Sequence, residues 1–272
     1  MQQSSRERTG PRDFKKFVYP TRLQFNLNIL FSAKLVLIAG RFSPSVPDVT
    51  SSAEGLDLSE PPLTCNPLEN YPMTVTYPTG GLMPNGEILL CGGYQSPEGV
   101  TLDVCFSNAG LSSSWTPAGT MANRRIGATS AIIDGKLWVT GGRSPSAGEL
   151  VATEFVDTSG TVTPGPDLPE AMVYACLVQI DASTIFIMHQ ANTYFFDIPT
   201  QAWTPGPTMA TSRRDFGCGV MTDSDGSLFV VAAGGYPTGS TLTDTTEFLS
   251  LRDPAALAWV AGKKLKLHTD II

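Results

Sequence analysis

A tight polar turn between two apolar runs recurs four times from Thr74 to Leu267, and nothing else in the chain constrains its fold as strongly. The turns are Asn85-Gly86, Asp134-Gly135, Asp181-Ala182-Ser183 and Asp225-Gly226. They are spaced about 45 to 50 residues apart, a repeat period and not a domain length. Asn-Gly and Asp-Gly supply the positive φ that a two-residue hairpin turn needs to match the twist of its strands. The strands leading into the turns read as 81–83, 127–133, 175–180 and 217–221. Their partners read as 87–91, 136–140, 184–188 and 227–233. Three of the partners run into a glycine pair, Gly92-Gly93, Gly141-Gly142 or Gly234-Gly235, which allows close backbone approach and a sharp exit.

A third strand follows near 102–106, 152–156, 193–196 and 245–249. The fourth begins at Trp115-Thr116-Pro117, Val162-Thr163-Pro164-Gly165, Trp203-Thr204-Pro205-Gly206 or Trp259-Val260-Ala261-Gly262. Four antiparallel strands in a unit of roughly 40 to 50 residues describe a blade, and blades stabilise each other only by stacking. Upstream, 23–30, 34–39, 51–58 and 64–66 read as a fifth, degenerate unit, with Ser32-Ala33 as its turn and Gly40-Arg41 in place of the glycine pair. The expected units are 21–72, 73–121, 122–169, 170–210 and 211–267. Residues 1–20, polar and without apolar period, are expected to be a disordered leader, and 268–272 a tail.

With the double glycine after the second strand, the Trp of the fourth, and Thr-Met-Ala or Asp-Leu-Pro before the next unit, the chain resembles the kelch repeat family over about residues 64 to 265. The resemblance implies an all-β fold, a kelch-type β-propeller of the galactose oxidase kind. About five blades stand where that family usually has six or seven. A five-bladed ring, an open ring and an incomplete six-bladed ring therefore all stay open.

Charged residues make up 16 % of the chain and hydrophobic ones 42 %, which suits strands covered on both faces. A formal net charge of −7 argues against a nucleic-acid groove or an anionic membrane surface as partner, since both need a basic footprint. The apolar run 23–39 is broken by Asn26, Asn28, Ser32 and Lys34. It falls short of the roughly 18 to 20 residues of a spanning helix.

None of Cys65, Cys91, Cys105, Cys176 and Cys218 shows the Cys-x-x-Cys spacing of a zinc or redox site. Cys91 and Cys105 fall on antiparallel neighbours, so they are either a disulfide or two buried thiols. Cys176 and Cys218 occupy one slot on adjacent blades, and stacked sheets lie about 10 Å apart, too far for a bridge unless they converge strongly near the axis. A bridge would favour secretion, while the lack of an Asn-x-Ser/Thr sequon and of a clean signal peptide favours the cytosol. The compartment stays open.

His189 and His268 are the two histidines, too few for a metal site of three or four ligands, so His189 is expected to be packed or at a rim. The galactose oxidase resemblance would imply copper held by two tyrosines and two histidines, which one histidine within the repeats cannot supply. No nucleophile elbow, phosphate loop or His-Glu-x-x-His occurs. The expectation is a chain without cofactor or catalysis. A secreted kelch-type enzyme or carbohydrate-binding protein is the alternative, and its sialidase-like form would need an arginine cluster, an acid and a tyrosine.

Loops between second and third strands share one end of a propeller with those joining one blade to the next. On them lie Arg124, Arg125, Arg143, Arg213 and Arg214, with Tyr94 and Tyr236. Arginine grips carboxylate or phosphate bidentately, and Arg and Tyr dominate protein interfaces, so these seven form a candidate mouth for an acidic or phosphorylated peptide. The competing reading is structural: an arginine that opens an inner strand pairs with a buried carboxylate. Trp115 and Trp203 are expected to pack between blades and not to stack ligands. Association with ubiquitin ligases or actin is implied by the family resemblance alone.

Overall fold

The computed structural model describes residues 24–31, 34–43, 46–57, 65–110, 113–237 and 241–265; the expected leader, the tail and the Ser32-Ala33 turn lie outside these. Among the described residues there is no helix, and five four-stranded antiparallel sheets carry the chain, each with its strands in sequence order. The first sheet contains Gln24–Phe31, Lys34–Ser43, Val46–Asp57 and Cys65–Leu68. The second contains Thr79–Leu82, Ile88–Cys91, Val104–Asn108 and Thr116–Thr120. The third contains Thr129–Ile133, Lys136–Thr140, Thr153–Val156 and Val162–Pro164. Cys176–Gln179, Thr184–His189, Asn192–Asp197 and Ala202–Pro205 form the fourth. Gly217–Thr222, Leu228–Ala233, Thr246–Ser250 and Trp259–Ala261 form the fifth.

Turn chemistry sets the hairpins. Asp134 and Gly135 both adopt positive φ, 49° and 76°, and the flanking Ile133 and Lys136 pair directly across the turn. That is the backbone a two-residue hairpin loop requires. Second strands are apolar on both faces, and in the fourth sheet Ile185, Phe186, Ile187 and Met188 are all fully buried. A strand reads this way only when both of its faces are covered.

The first strand of each sheet touches the first strand of the next, from the first sheet through to the fifth. Apolar clusters fill the spaces between successive sheets. Leu68 meets Ile88 and Leu90, Leu89 meets Leu137 and Val139, Trp138 meets Ile185 and Phe196, and Phe186 meets Val230 and Leu249. Such serial stacking is consistent with a β-propeller. The fourth-strand tryptophans fasten it: the indole N–H of Trp115 donates to the Glu69 carbonyl at 3.2 Å, Trp203 to Asp167 at 2.9 Å and Trp259 to Pro207 at 2.8 Å. Each acceptor belongs to the segment leaving the preceding sheet, as expected for residues that pack between sheets.

Two disulfides are present among the described residues. Cys91 and Cys105 face one another across the ladder of the second sheet, with Cα atoms 4.1 Å apart. Cys176 and Cys218 are also bridged, with Cα atoms 6.1 Å apart, which corrects the expectation drawn from ordinary sheet spacing. The reason is convergence: both lie on first strands, where neighbouring sheets come closest.

Candidate functional site at the loop end

Segments that lead into the first strands pair with the loops that leave the second strands. Thr76 pairs with Tyr94 inside a small sheet of Val75–Thr76, Tyr94–Gln95 and Val100–Thr101. Ile126 bridges to Arg143, which opens the hairpin of Arg143–Ser144 and Gly148–Glu149, and Arg214 bridges to Tyr236. In all three cases the residue after a glycine pair is thus tied beside the lead-in to the same sheet's first strand. The loops expected to share one end do meet there.

Two residues before the first strand of each of the second to fifth sheets the backbone turns left-handed. The residues are Tyr77, Gly127, Tyr174 and Asp215, with φ of 53°, 66°, 55° and 51°. Holding a side chain in that region costs on the order of 1–3 kcal/mol, and such positions gather at functional sites. Glycine at 127 has a specific consequence. A Cβ there would lie 2.5 Å from the Tyr174 ring, so the absent side chain makes room for that ring. Tyr174 in turn packs edge-on against Tyr77, with centroids 5.1 Å apart, and its amide donates to the Gly127 carbonyl at 2.8 Å.

Charges converge on the same ring. Burial raises the Tyr174 phenol above its ordinary pKa and the Asp215 carboxylate adds to the effect, while Arg143 and Arg214 pull the other way. Burial also raises Asp215, opposed by Arg214. A half-buried tyrosine and acid therefore sit within electrostatic reach of two exposed arginines. The arrangement presents fixed positive charge beside aromatic surface, which suits an anionic group carried on an apolar or peptide body.

The seven residues expected at the mouth divide. Arg143 and Arg214 are exposed and near enough to Tyr174 to act on its phenol electrostatically. Arg124 is exposed and pairs loosely with Asp103 at 3.4 Å. Tyr94 and Tyr236 are half-buried beside the lead-in segments.

Arg125 and Arg213 do not belong to the mouth; at 0 % and 1 % exposure no partner reaches them. Arg125 donates to the carbonyls of Gly141 at 2.7 Å and Ala152 at 3.0 Å and pairs with Glu154. Arg213 repeats the set, donating to Gly234 at 2.8 Å and Thr245 at 3.1 Å and pairing with Glu247 at 2.7 Å. Each glutamate also accepts from the backbone N–H groups of a lead-in segment, Ala122 and Asn123 or Ala210 and Thr211. For these two the structural alternative holds, because a buried guanidinium must be paired and hydrogen-bonded.

His189 is buried on the fourth sheet with Nδ1 3.2 Å from Glu170, whose carboxylate also accepts from Asn192. Among the described residues no three or more His, Cys, Asp or Glu side chains are grouped so as to hold a metal ion. Sequence inspection missed Tyr77, Tyr174 and Asp215. The available signal was their shared place two residues ahead of each first strand.

In fold the chain is similar to a solved structure, "Structure of YjhT", with a TM-score of 0.73 at 12 % identity, covering 90 % of this chain and 85 % of that one. No protein-family model matches the sequence, and no curated protein does. The likeness concerns the fold alone.

Proposed function

We propose that the chain is a kelch-type β-propeller that binds an acidic or phosphorylated peptide at its loop end and performs no chemistry on it. The observation that carries this is that exposed Arg143 and Arg214 act electrostatically on Tyr174, which packs edge-on against Tyr77, on a chain whose net charge is −7. A local positive site on an acidic protein selects an anionic ligand and repels most others. Arg124, paired with Asp103, stands apart from these residues.

Pull-down with immobilised acidic and phosphoserine peptides tests the proposal, comparing the intact chain with Arg143→Glu/Arg214→Glu. Loss of capture from a variant that melts like the parent supports it. Undiminished capture refutes it.

A second reading is supported by particular residues. Arg143, Arg214, Asp215 and Tyr174 supply the arginine, acid and tyrosine set of a sialidase-like enzyme, and two disulfides fit an oxidising compartment. Release of a chromophore from an aryl glycoside of an acidic sugar, abolished by Asp215→Asn, would favour it over the peptide binder.

A further inference from the structure

The two disulfides differ in what they add. Cys91 and Cys105 are fully buried and already opposite one another in a hydrogen-bonded ladder, so their bridge joins strands that the sheet holds in any case. Cys176 and Cys218 sit on the first strands of the fourth and fifth sheets, which belong to separate hydrogen-bonded ladders. Both are half-buried. Tyr174 lies two residues before Cys176 and Asp215 three residues before Cys218, in the segments that lead into the same two strands, both with left-handed backbone and electrostatically coupled to each other.

We infer that the Cys176–Cys218 bridge is a redox-sensitive positioning element, which fixes the spacing of Tyr174 and Asp215 at the mouth and releases it on reduction. A dithiol reductant opens it in two exchanges. One thiolate attacks a bridge sulfur and expels the partner cysteine as a thiolate, leaving a mixed disulfide. The reductant's second thiol then attacks the reductant sulfur of that mixed disulfide and releases the remaining cysteine. Two electrons and two protons end on Cys176 and Cys218 as thiols, and the reductant leaves as a cyclic disulfide. The sheets stay stacked after opening, because Val178, Phe186 and Met188 still pack on Val230, Ala232 and Leu249. What is lost is the covalent tie at the end where the two strands carry the site. Its effect on ligand binding rests on the peptide reading above; its effect on the two strands does not.

Stepwise reduction of the intact 272-residue chain with dithiothreitol tests this, with alkylation and peptide mapping to identify the opened bridge. Amide hydrogen exchange and the affinity of a fluorescent phosphoserine peptide are followed on the same samples. The half-buried bridge is expected to open before the enclosed Cys91–Cys105 bridge. With only Cys176 and Cys218 alkylated, exchange across 172–178 and 213–219 is expected to rise about tenfold while 184–188 stays protected, as for a local opening. Peptide affinity is expected to weaken by about tenfold as preorganisation is lost. Cys176→Ser/Cys218→Ser should behave as the reduced protein. Unchanged exchange in the two segments after selective opening, or prior opening of Cys91–Cys105, overturns the inference. Raised exchange in a protein whose oxidised form never bound the peptide upholds the positioning role and removes the acidic-peptide reading instead.

Discussion

At one repeated interior position the third and fifth sheets bury a charge pair, whereas the second and fourth set a buried apolar side chain against a half-buried aromatic one. Two residues before the left-handed turn stand Val75, Arg125, Met172 and Arg213; on the third strand the matching places hold Phe106, Glu154, Tyr194 and Glu247. Arg occurs with Glu, Val with Phe, Met with Tyr. Val75 and Phe106 share one apolar cluster, and Met172 and Tyr194 share another. The difference teaches that the site tolerates either solution but not half of one, because an unpaired buried ion is far more costly than an apolar substitute for the pair. It also separates Arg125 and Arg213, which are buried and paired, from Arg143 and Arg214, which are exposed.

The largest effect expected from breaking that pattern is from Glu154→Ala, which strands Arg125. Loss of one partner of a buried pair costs about 3–5 kcal/mol, to be read from the urea unfolding midpoint. The fifth sheet adds a pH dependence. Burial is the strongest influence on Glu247 and pushes its pKa up, but hydrogen bonds from Arg213 and from the Ala210 and Thr211 segment outweigh it and hold the carboxyl below its usual value. A depressed carboxylate contributes stability that is present above the unfolded pKa and fades as pH falls through the folded one. Unfolding followed from neutral pH down through the carboxylate range should therefore show a shallower decline for Glu247→Gln than for the parent chain.

Gly127→Ala probes the contrast between the third and fourth sheets at the mouth. The methyl adds left-handed strain of about 1–3 kcal/mol and meets the Tyr174 ring 2.5 Å away. Thermal unfolding and the ultraviolet titration of the Tyr174 phenol should both shift. The smallest effect is expected from transplanting the fourth-sheet solution into the third. Arg125→Met/Glu154→Tyr should lie within about 1 kcal/mol of the parent, since apolar replacement of a whole buried pair is often near neutral. A double-mutant cycle against the two single changes gives the coupling. A double variant as unstable as Glu154→Ala would show that the sheets do not share one interchangeable position.

Much of the fold was legible because its signals are local. Asn85-Gly86 and Asp134-Gly135 announce hairpins by backbone preference, and the Gly-Gly and Trp-Thr-Pro elements place second and fourth strands within a repeated unit. The Cys176–Cys218 bridge was not legible, since it depends on how sharply first strands converge and no local sequence reports that. The mouth was half legible. Arg143 and Arg214 stood out as charges in loops, but so did Arg125 and Arg213, and only burial tells the two sets apart. Tyr77, Tyr174 and Asp215 went unseen because their common property is a positive φ, which the sequence marks with glycine only at position 127.

Arg213 and Arg214 are chain neighbours assigned opposite roles, so measuring unfolding free energy and phosphopeptide affinity on Arg213→Ala and Arg214→Ala is the most direct test. Arg213→Ala is expected to lose about 3–5 kcal/mol of stability by leaving Glu247 buried and unpaired. Arg214→Ala is expected to stay within about 0.5 kcal/mol of the parent in stability and to weaken peptide binding by about tenfold or more. Unchanged affinity in Arg214→Ala, or full stability in Arg213→Ala, would contradict the division between buried and ligand-facing arginines.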